Sequence, residues 1–259
     1  MAIGTNRTIA LAAALLAAGC ASPQAAPPTT VADVGVLSES IPYPRGYLAA
    51  EDLPDSLALL PPPPAEGTAA KAADQEAYAR AMEAGEARWA LAASDADLGW
   101  PHVVQGFEPI LGLSLSDGSR PHTEMLLRRA MADAGLSTYR AKTHYNRVRP
   151  FVENGSGSCT PGDEAALRGD GSYPSGHTAI GWMLALVLAE LMPARDDDLL
   201  RRGYDFGHSR VICRVHWQSD TAAGRLIASA TFARLQADPV FAAQRERARA
   251  ELAQARDGE

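Results

Sequence analysis

The chain has 259 residues, with 24 Lys and Arg against 31 Asp and Glu, giving a formal net charge of −7 at pH 7. An acidic chain without a basic tract excludes a nucleic-acid binder held by charge, so any anion site must be local. Its length allows one sizeable core or two small ones.

The first residues carry one positive charge, Arg7, followed by an apolar Ala/Leu-rich run from Ile9 to Ala18 and then small residues. That run is too short to span a bilayer, and residues 1–20 read as a secretory signal peptide. Ala17-Ala18-Gly19-Cys20 resembles a bacterial lipobox whose Leu lies one place early. Lipidation at Cys20 and simple cleavage both stay open; either sends the product out of the cytoplasm, to the periplasm. Loss of residues 1–19, which hold Arg7 and no acid, moves the net charge to −8.

Ten of the eighteen prolines fall between Ala21 and Pro64. Such a stretch carries no regular helix or central strand, so residues 21–60 are expected to be an extended arm and 61–257 a single helical domain. From Ala69 to about Ala96 the composition is strongly helix-forming. Pro101 and Pro109 punctuate a loop or helix start. Glu124–Ala134 is a second helical run, with Leu126, Leu127, Ala130 and Met131 on one face. Ser137–Val148 is expected to be a third helix, stopped at Arg149-Pro150 because a residue before proline is pushed out of the α region. Asn154–Tyr173 is turn-forming and reads as a long surface loop bordering a site.

Thr178–Leu191 is almost wholly apolar, and 14 residues make a buried core helix rather than a membrane span. Further helices are expected over Asp197–Phe206, from near His216 toward Ala237, and from Pro239 onward. No alternating strand pattern and no repeat is visible, so the fold class is all-α. After the expected leader, no segment is long and apolar enough for a transmembrane helix.

Three clusters carry chemistry. Lys142 and Arg149 are seven residues apart, two turns of helix, so both project from one face and can grip one tetrahedral anion. The bland alternative is a solvated basic face near a helix C-terminus. Gly171-Ser-Tyr-Pro-Ser175-Gly176-His177-Thr178 precedes the apolar helix. Free N–H groups at a helix start bind anions, Ser175 adds a hydroxyl, Gly176 permits close approach, and His177 suits proton transfer. The alternative is a plain N-cap turn with an incidental His. His216 and Asp220 are i, i+4, so on a helix they are neighbours, and a carboxylate on one imidazole nitrogen leaves the other free as a nucleophile. Such pairs are often structural, but Arg210 upstream supplies a third cation. Metal ligation fits poorly, since cations surround the histidines and no second carboxylate accompanies them. Cys159 and Cys213 are an even pair, either a disulfide or two separate thiols.

Lys-x6-Arg-Pro, Pro-Ser-Gly-His and Ser-Arg-x5-His-x3-Asp, in this order, resemble the three-part signature of the phosphatidic acid phosphatase type 2/vanadium haloperoxidase superfamily. Within it, Gly-Ser-Tyr-Pro-Ser-Gly-His-Thr at 171–178, Ser-Arg-Val-Ile-Cys at 209–213 and His-Trp-Gln-Ser-Asp at 216–220 are similar to bacterial class A non-specific acid phosphatases. So are the Leu-Leu-Pro-Pro-Pro-Pro arm at 59–64 and Lys-x-His-Tyr-x-Arg-x-Arg-Pro-Phe at 142–151. His208 and Arg214 look unusual and bear on substrate preference.

The resemblance implies a metal-independent acid phosphatase for small phosphate monoesters, without cofactor, though vanadate or phosphate can occupy the site. Lys142, Arg149, Ser175, Gly176 and Arg210 would hold the phosphoryl oxygens. His216, oriented by Asp220, would be the nucleophile, and His177 the acid and base. An acidic optimum, vanadate inhibition and phosphotransfer to alcohols are expected with it. Rival readings are a vanadium-dependent haloperoxidase, an embedded lipid phosphatase and a non-catalytic phosphate-binding envelope protein. The leaving group is expected to meet loops 100–120 and 152–172. The preferred ester and whether the chain forms a homo-oligomer stay open.

Overall fold

A computed structural model describes Met1 and residues 26–39 and 41–257, so the expected leader and Cys20 lie outside the described residues. Contrary to the expectation of no strand, Val36–Ser38 pairs antiparallel with Ile41–Pro44. The two prolines of this hairpin remove no central ladder bond, because each strand has only one neighbour. Val31–Val34 and Ser56–Leu59 add single helical turns to the arm, each with a side-chain cap, from Thr30 and Asp55.

Thr68 accepts a hydrogen bond from the Lys71 N–H at 3.2 Å and opens α1 (Ala69–Ala81). The helix-forming stretch 69–96 holds two helices, since Gly85 stands extended at the start of α2 (Glu86–Ser94). Glycine is the poorest helix former in that stretch and marks the break. Short turns at His102–Gln105 and Glu108–Leu111 lead to α3 (Pro121–Ser137), which begins on a proline whose missing N–H costs nothing there. The helix expected over 137–148 is shorter: α4 (Tyr139–Tyr145) ends at left-handed Asn146, φ 39°. Arg149 is extended, as a residue before proline should be, and Pro150–Glu153 makes one more turn.

The loop expected over 154–173 holds only a 3₁₀ turn at Pro161–Asp163 and one α-turn at Glu164–Leu167. Then come α5 (Gly176–Leu191), α6 (Asp196–Ile212), α7 (Gln218–Leu235) and α8 (Pro239–Asp257). Three acids in the first turn of α6 complement its dipole. This helix runs past its expected end at Phe206, because Gly207 serves a helix contact rather than a stop. A Cβ at Gly207 would lie 2.6 Å from the Thr178 side chain of α5. The fold is mostly helical.

No residue of the apolar helix α5 is exposed, in keeping with its lack of a continuous polar face, though His177, Ile180, Trp182 and Glu190 are only half-buried. It packs against α3, α6 and α7, and α8 covers α3. Met183, Leu184 and Leu188 are fully buried at its centre. A smaller core of Phe151, Val211 and Val215 lies where Cys159 and Cys213 form a disulfide, tying the long loop to the end of α6.

The arm is bound to the bundle by polar anchors as well as apolar packing. Buried Asp133 of α3 accepts hydrogen bonds from the N–H groups of Tyr47 (2.8 Å) and Leu48 (3.2 Å). Arg129, one turn earlier, donates to the carbonyls of Arg45 and Gly46 and stacks on the Tyr47 ring. Asp133→Ala would leave two N–H groups without acceptors in a site closed to water. It is expected to lower the unfolding free energy by about 2–4 kcal/mol, read from the shift of a denaturant midpoint at constant m.

Candidate active site

One cavity of about 180 Å³ is lined by Lys142, Arg149, Gly176, His177, Arg210 and His216, with Leu98, Tyr139, Leu167, Asp170 and Ile180 around them. Each polar residue reaches it from an element end. Lys142 stands in the last turn of α4, Arg149 ahead of the Pro150 turn, His177 in the first turn of α5, Arg210 in the last turn of α6 and His216 just before α7. Ser175 and Asp220 lie behind the wall, both fully buried.

The convergence of Lys142 and Arg149 is not the helical periodicity expected, because Asn146 ends α4 between them. Both instead turn toward the Gly171 carbonyl, Lys142 Nζ at 2.8 Å and Arg149 Nη2 at 3.2 Å. Gly171 lets the loop come that close, since a Cβ there would sit 2.9 Å from the Lys142 carbonyl oxygen. Arg149 is further fixed by the carbonyls of Leu167, Asp170 and Val215 and by the Asp170 carboxylate at 2.9 Å. Arg210 is buried, and its Nε and Nη1 find no acceptor among the described residues.

His216 and Asp220 meet, but not as neighbours along one helix. α7 begins at Gln218, and Asp220 in its first turn caps it by accepting the Trp217 N–H at 2.8 Å. That capping carboxylate brings Oδ2 to 3.5 Å from His216 Nδ1, longer than a good hydrogen bond. The other ring nitrogen, Nε2, faces Arg149 Nη1 at 3.2 Å across the cavity. A cationic guanidinium has only hydrogens to offer, so Nε2 presents its lone pair and the proton sits on Nδ1 toward Asp220.

His177 is held by a different contact. Its Nε2 lies 3.1 Å from the Ala96 carbonyl, which can only accept, so Nε2 carries a proton in either charge state. Nδ1 is therefore the nitrogen that gains or loses one. In the helix-start turn, the Ser175 hydroxyl accepts from Thr178 N–H and Thr178 Oγ1, and Ser175 N–H is taken by the Asp220 carbonyl at 3.0 Å. Gly176 and His177 contribute the next two N–H groups of the turn, as the first residues of α5.

Burial governs the titration of the whole set. Desolvation, then Arg149, Lys142 and Arg210, hold His216 well below the ordinary histidine value. Desolvation, then Arg210 and His216, do the same to His177. Lys142 is lowered to about 8, chiefly by burial, and Arg210 to about 10. Asp220 is raised by burial against the pull of Arg147. The cavity thus sets several cations beside two imidazoles whose neutral form is favoured.

Three supports escaped the sequence reading. Arg147 donates to Asp220 Oδ1 at 2.5 Å and to Asp74 Oδ2 at 2.7 Å, forming a buried chain Asp74–Arg147–Asp220 behind His216. Asp74 also accepts from the N–H and hydroxyl of Ser219. On the other side, Asp95 takes both terminal nitrogens of Arg202 and the Ser209 hydroxyl, which fixes the segment carrying Ala96. Asp74 and Asp95 lie far from the motifs in sequence, and no local pattern marks them. Arg147 was visible within the first cluster as one more cation. His208 and Arg214, which looked unusual, do not line the cavity; Arg214 stacks on Trp89. Among the described residues no group of three His, Cys, Asp or Glu side chains is placed to hold a metal ion, and no helix is long and apolar enough to cross a membrane.

A family model for the PAP2 superfamily matches residues 124–239, the stretch that holds every polar residue of the cavity. The non-specific acid phosphatase of Salmonella typhimurium is 44% identical over 208 residues, covering 80% of this chain and 83% of that protein. That of Providencia stuartii is 44% identical over 213 residues, covering 80% and 84%. The acid phosphatase of Zymomonas mobilis is 42% identical over 203 residues, covering 78% and 77%. With identity of this extent over about four fifths of the chain, the chain belongs to the PAP2 superfamily and, within it, to the bacterial non-specific acid phosphatases, and it is an acid phosphatase.

Proposed function

We propose that the protein hydrolyses a broad range of small phosphate monoesters through a phosphohistidine on His216, without a metal ion, in the periplasm. The observation that carries this is the single cavity shared by Lys142, Arg149, Arg210, His177 and His216. Three cations gathered there, offset in part by Asp170 at the rim, leave an excess of positive charge for one phosphoryl group, and in phosphoryl transfer positioning and electrostatics do most of the work. The disulfide and the leader-like N-terminus support export to an oxidising compartment.

In the first step the Nε2 lone pair of His216 attacks phosphorus and the ester P–O bond breaks. His177 delivers its Nδ1 proton to the departing alkoxide. In the second step His177, now neutral, takes a proton from water as that oxygen attacks phosphorus, and the N–P bond returns its electron pair to Nε2. An alcohol in place of water gives phosphotransfer by the same route. Vanadate, in the geometry of the transferring group, would occupy the same cations.

Burial and the neighbouring Arg210 favour the neutral form of His177 in the free enzyme, so binding of the substrate has to help supply its proton. A bound phosphoryl group offsets Arg210 and raises the imidazole's affinity for a proton. A monoester is also a monoanion below its second pKa of about 6 and brings the proton itself. The acidic optimum follows from this charge balance rather than from a permanently charged imidazole.

Three outcomes are expected. With p-nitrophenyl phosphate and chelator present, His216→Ala should lose activity by a factor on the order of 10³ or more. The wild type, quenched in base during turnover, should carry phosphate in an acid-labile N–P bond. Full activity of the alanine variant, or loss of wild-type activity on chelation, would overturn the mechanism. Inorganic phosphate, measured as a competitive inhibitor, should bind more weakly as pH rises through about 8, where Lys142 loses its charge in the free enzyme. Affinity independent of pH between 7 and 9 would remove Lys142 from the phosphate site.

Arg147→Met would leave Asp74 and Asp220 as two buried carboxylates without their shared cation, favouring protonation of Asp220. Because Arg147 does not line the cavity, kcat should fall about tenfold or more while KM changes little. Arg147→Lys should restore part of it. An equal rise in KM with kcat intact would instead mean direct contact with substrate.

A further inference from the structure

A second cavity, of about 190 Å³, opens beside the first and shares part of its wall: Leu98, Tyr139 and Ile180 line both. Its remaining surface includes Leu37 and Tyr43 from the arm hairpin and Met131 from α3, and no charged side chain lines it among the described residues. The Tyr43 hydroxyl is turned away from solvation of a ligand by donating to the Leu98 carbonyl at 3.0 Å. That bond also ties the arm to the segment whose Ala96 carbonyl holds His177. The arm, expected to be a linker, therefore forms one wall of a compartment adjoining the phosphate site. The loops expected to meet the leaving group, 100–120 and 152–172, contribute nothing to this second cavity.

We propose that this compartment is the leaving-group subsite and that, within the broad range of monoesters accepted, it favours those with an apolar or aromatic alcohol of about one ring in size. The proposal rests on the phosphatase reading of the adjoining cavity and adds the substrate class. An ester whose phosphorus lies among Lys142, Arg149 and Arg210 must send its alcohol portion somewhere, and the shared wall of Leu98, Tyr139 and Ile180 leads into the apolar chamber. An apolar cavity of about 150 Å³ suffices for benzene, so this one accepts a single ring. A sugar or other polyol entering it would give up hydration of several hydroxyls and find few partners, which costs free energy. A leaving group bearing a second phosphate would meet no cation there.

Two esters separate binding from chemistry: 2-phenylethyl phosphate and ethyl phosphate, whose alcohols are of similar leaving ability. Burying a phenyl ring is worth roughly tenfold to a hundredfold in kcat/KM, so the wild type should favour the phenylethyl ester by at least about tenfold. Ala132→Phe fills the chamber from α3, and Leu98→Asp places a charge on its shared wall; Ala132 and Leu98 both line it. Each is expected to bring the ratio of the two kcat/KM values to within about threefold of one. Because the ratio is the readout, any loss common to both esters, including partial misfolding, cancels. A wild-type ratio near one, or a ratio untouched by both substitutions, would overturn the subsite. If His216→Ala hydrolysed both esters as fast as the wild type, the fault would lie with the phosphate site instead.

Discussion

Three buried cations around one small cavity repel one another, and the structure around them is arranged to hold them there. Lys142, Arg149 and Arg210 are each nearly inaccessible to water, so neither bulk solvent nor salt screens them well. Arg149 and Lys142 are steadied by main-chain carbonyls, chiefly that of Gly171, which supply partial negative charge without a full carboxylate's claim on the site. Asp170 alone brings a whole negative charge to the rim, and it is half exposed. Arg210 keeps two donors unengaged among the described residues. A cluster built this way favours a polyanion strongly and a neutral ligand hardly at all.

The two imidazoles at this cavity are made different by what touches their other nitrogen. His216 is backed by a carboxylate and offers a lone pair, while His177 is backed by a carbonyl and exchanges its proton at Nδ1. Identical side chains in one electrostatic field thereby present themselves differently to the cavity, one through a lone pair and one through a nitrogen free to exchange its proton. The backing groups are themselves fixed from behind, Asp220 by Arg147 and Asp74, and the Ala96 segment through Asp95 and Arg202. These buried ion pairs add little to net stability, but removal of any one partner leaves an uncompensated charge. Their contribution is to geometry.

Legibility followed locality. The apolar run that became α5 was plain from hydrophobicity alone, and Arg149-Pro150 correctly foretold an extended residue. The end of α4 was missed because Asn146 takes a left-handed conformation that its identity allows without requiring it. The extent of α6 was missed because Gly207, ordinarily a sign of a helix end, is there for contact with Thr178. The hairpin in the arm was missed because a proline-rich strand with one partner carries no alternating pattern.

The motif segments by themselves pointed to the kind of chemistry, since the three clusters in their order resemble the signature of the acid phosphatases, although each cluster alone also allowed a structural reading. Residue type carries that, because hydrogen-bonding capacity and charge belong to the side chain; helical spacing does not, since Asn146 ends α4 between Lys142 and Arg149 and α7 begins only after His216. Tertiary structure decided the rest: which carboxylate stands behind which cation, how deeply each imidazole is desolvated, and that the arm supplies one wall of an apolar cavity beside the site. Those depend on groups as far apart in sequence as Asp74 and Asp220 or Tyr43 and Leu98, whose meeting is fixed only when the bundle excludes water from between them.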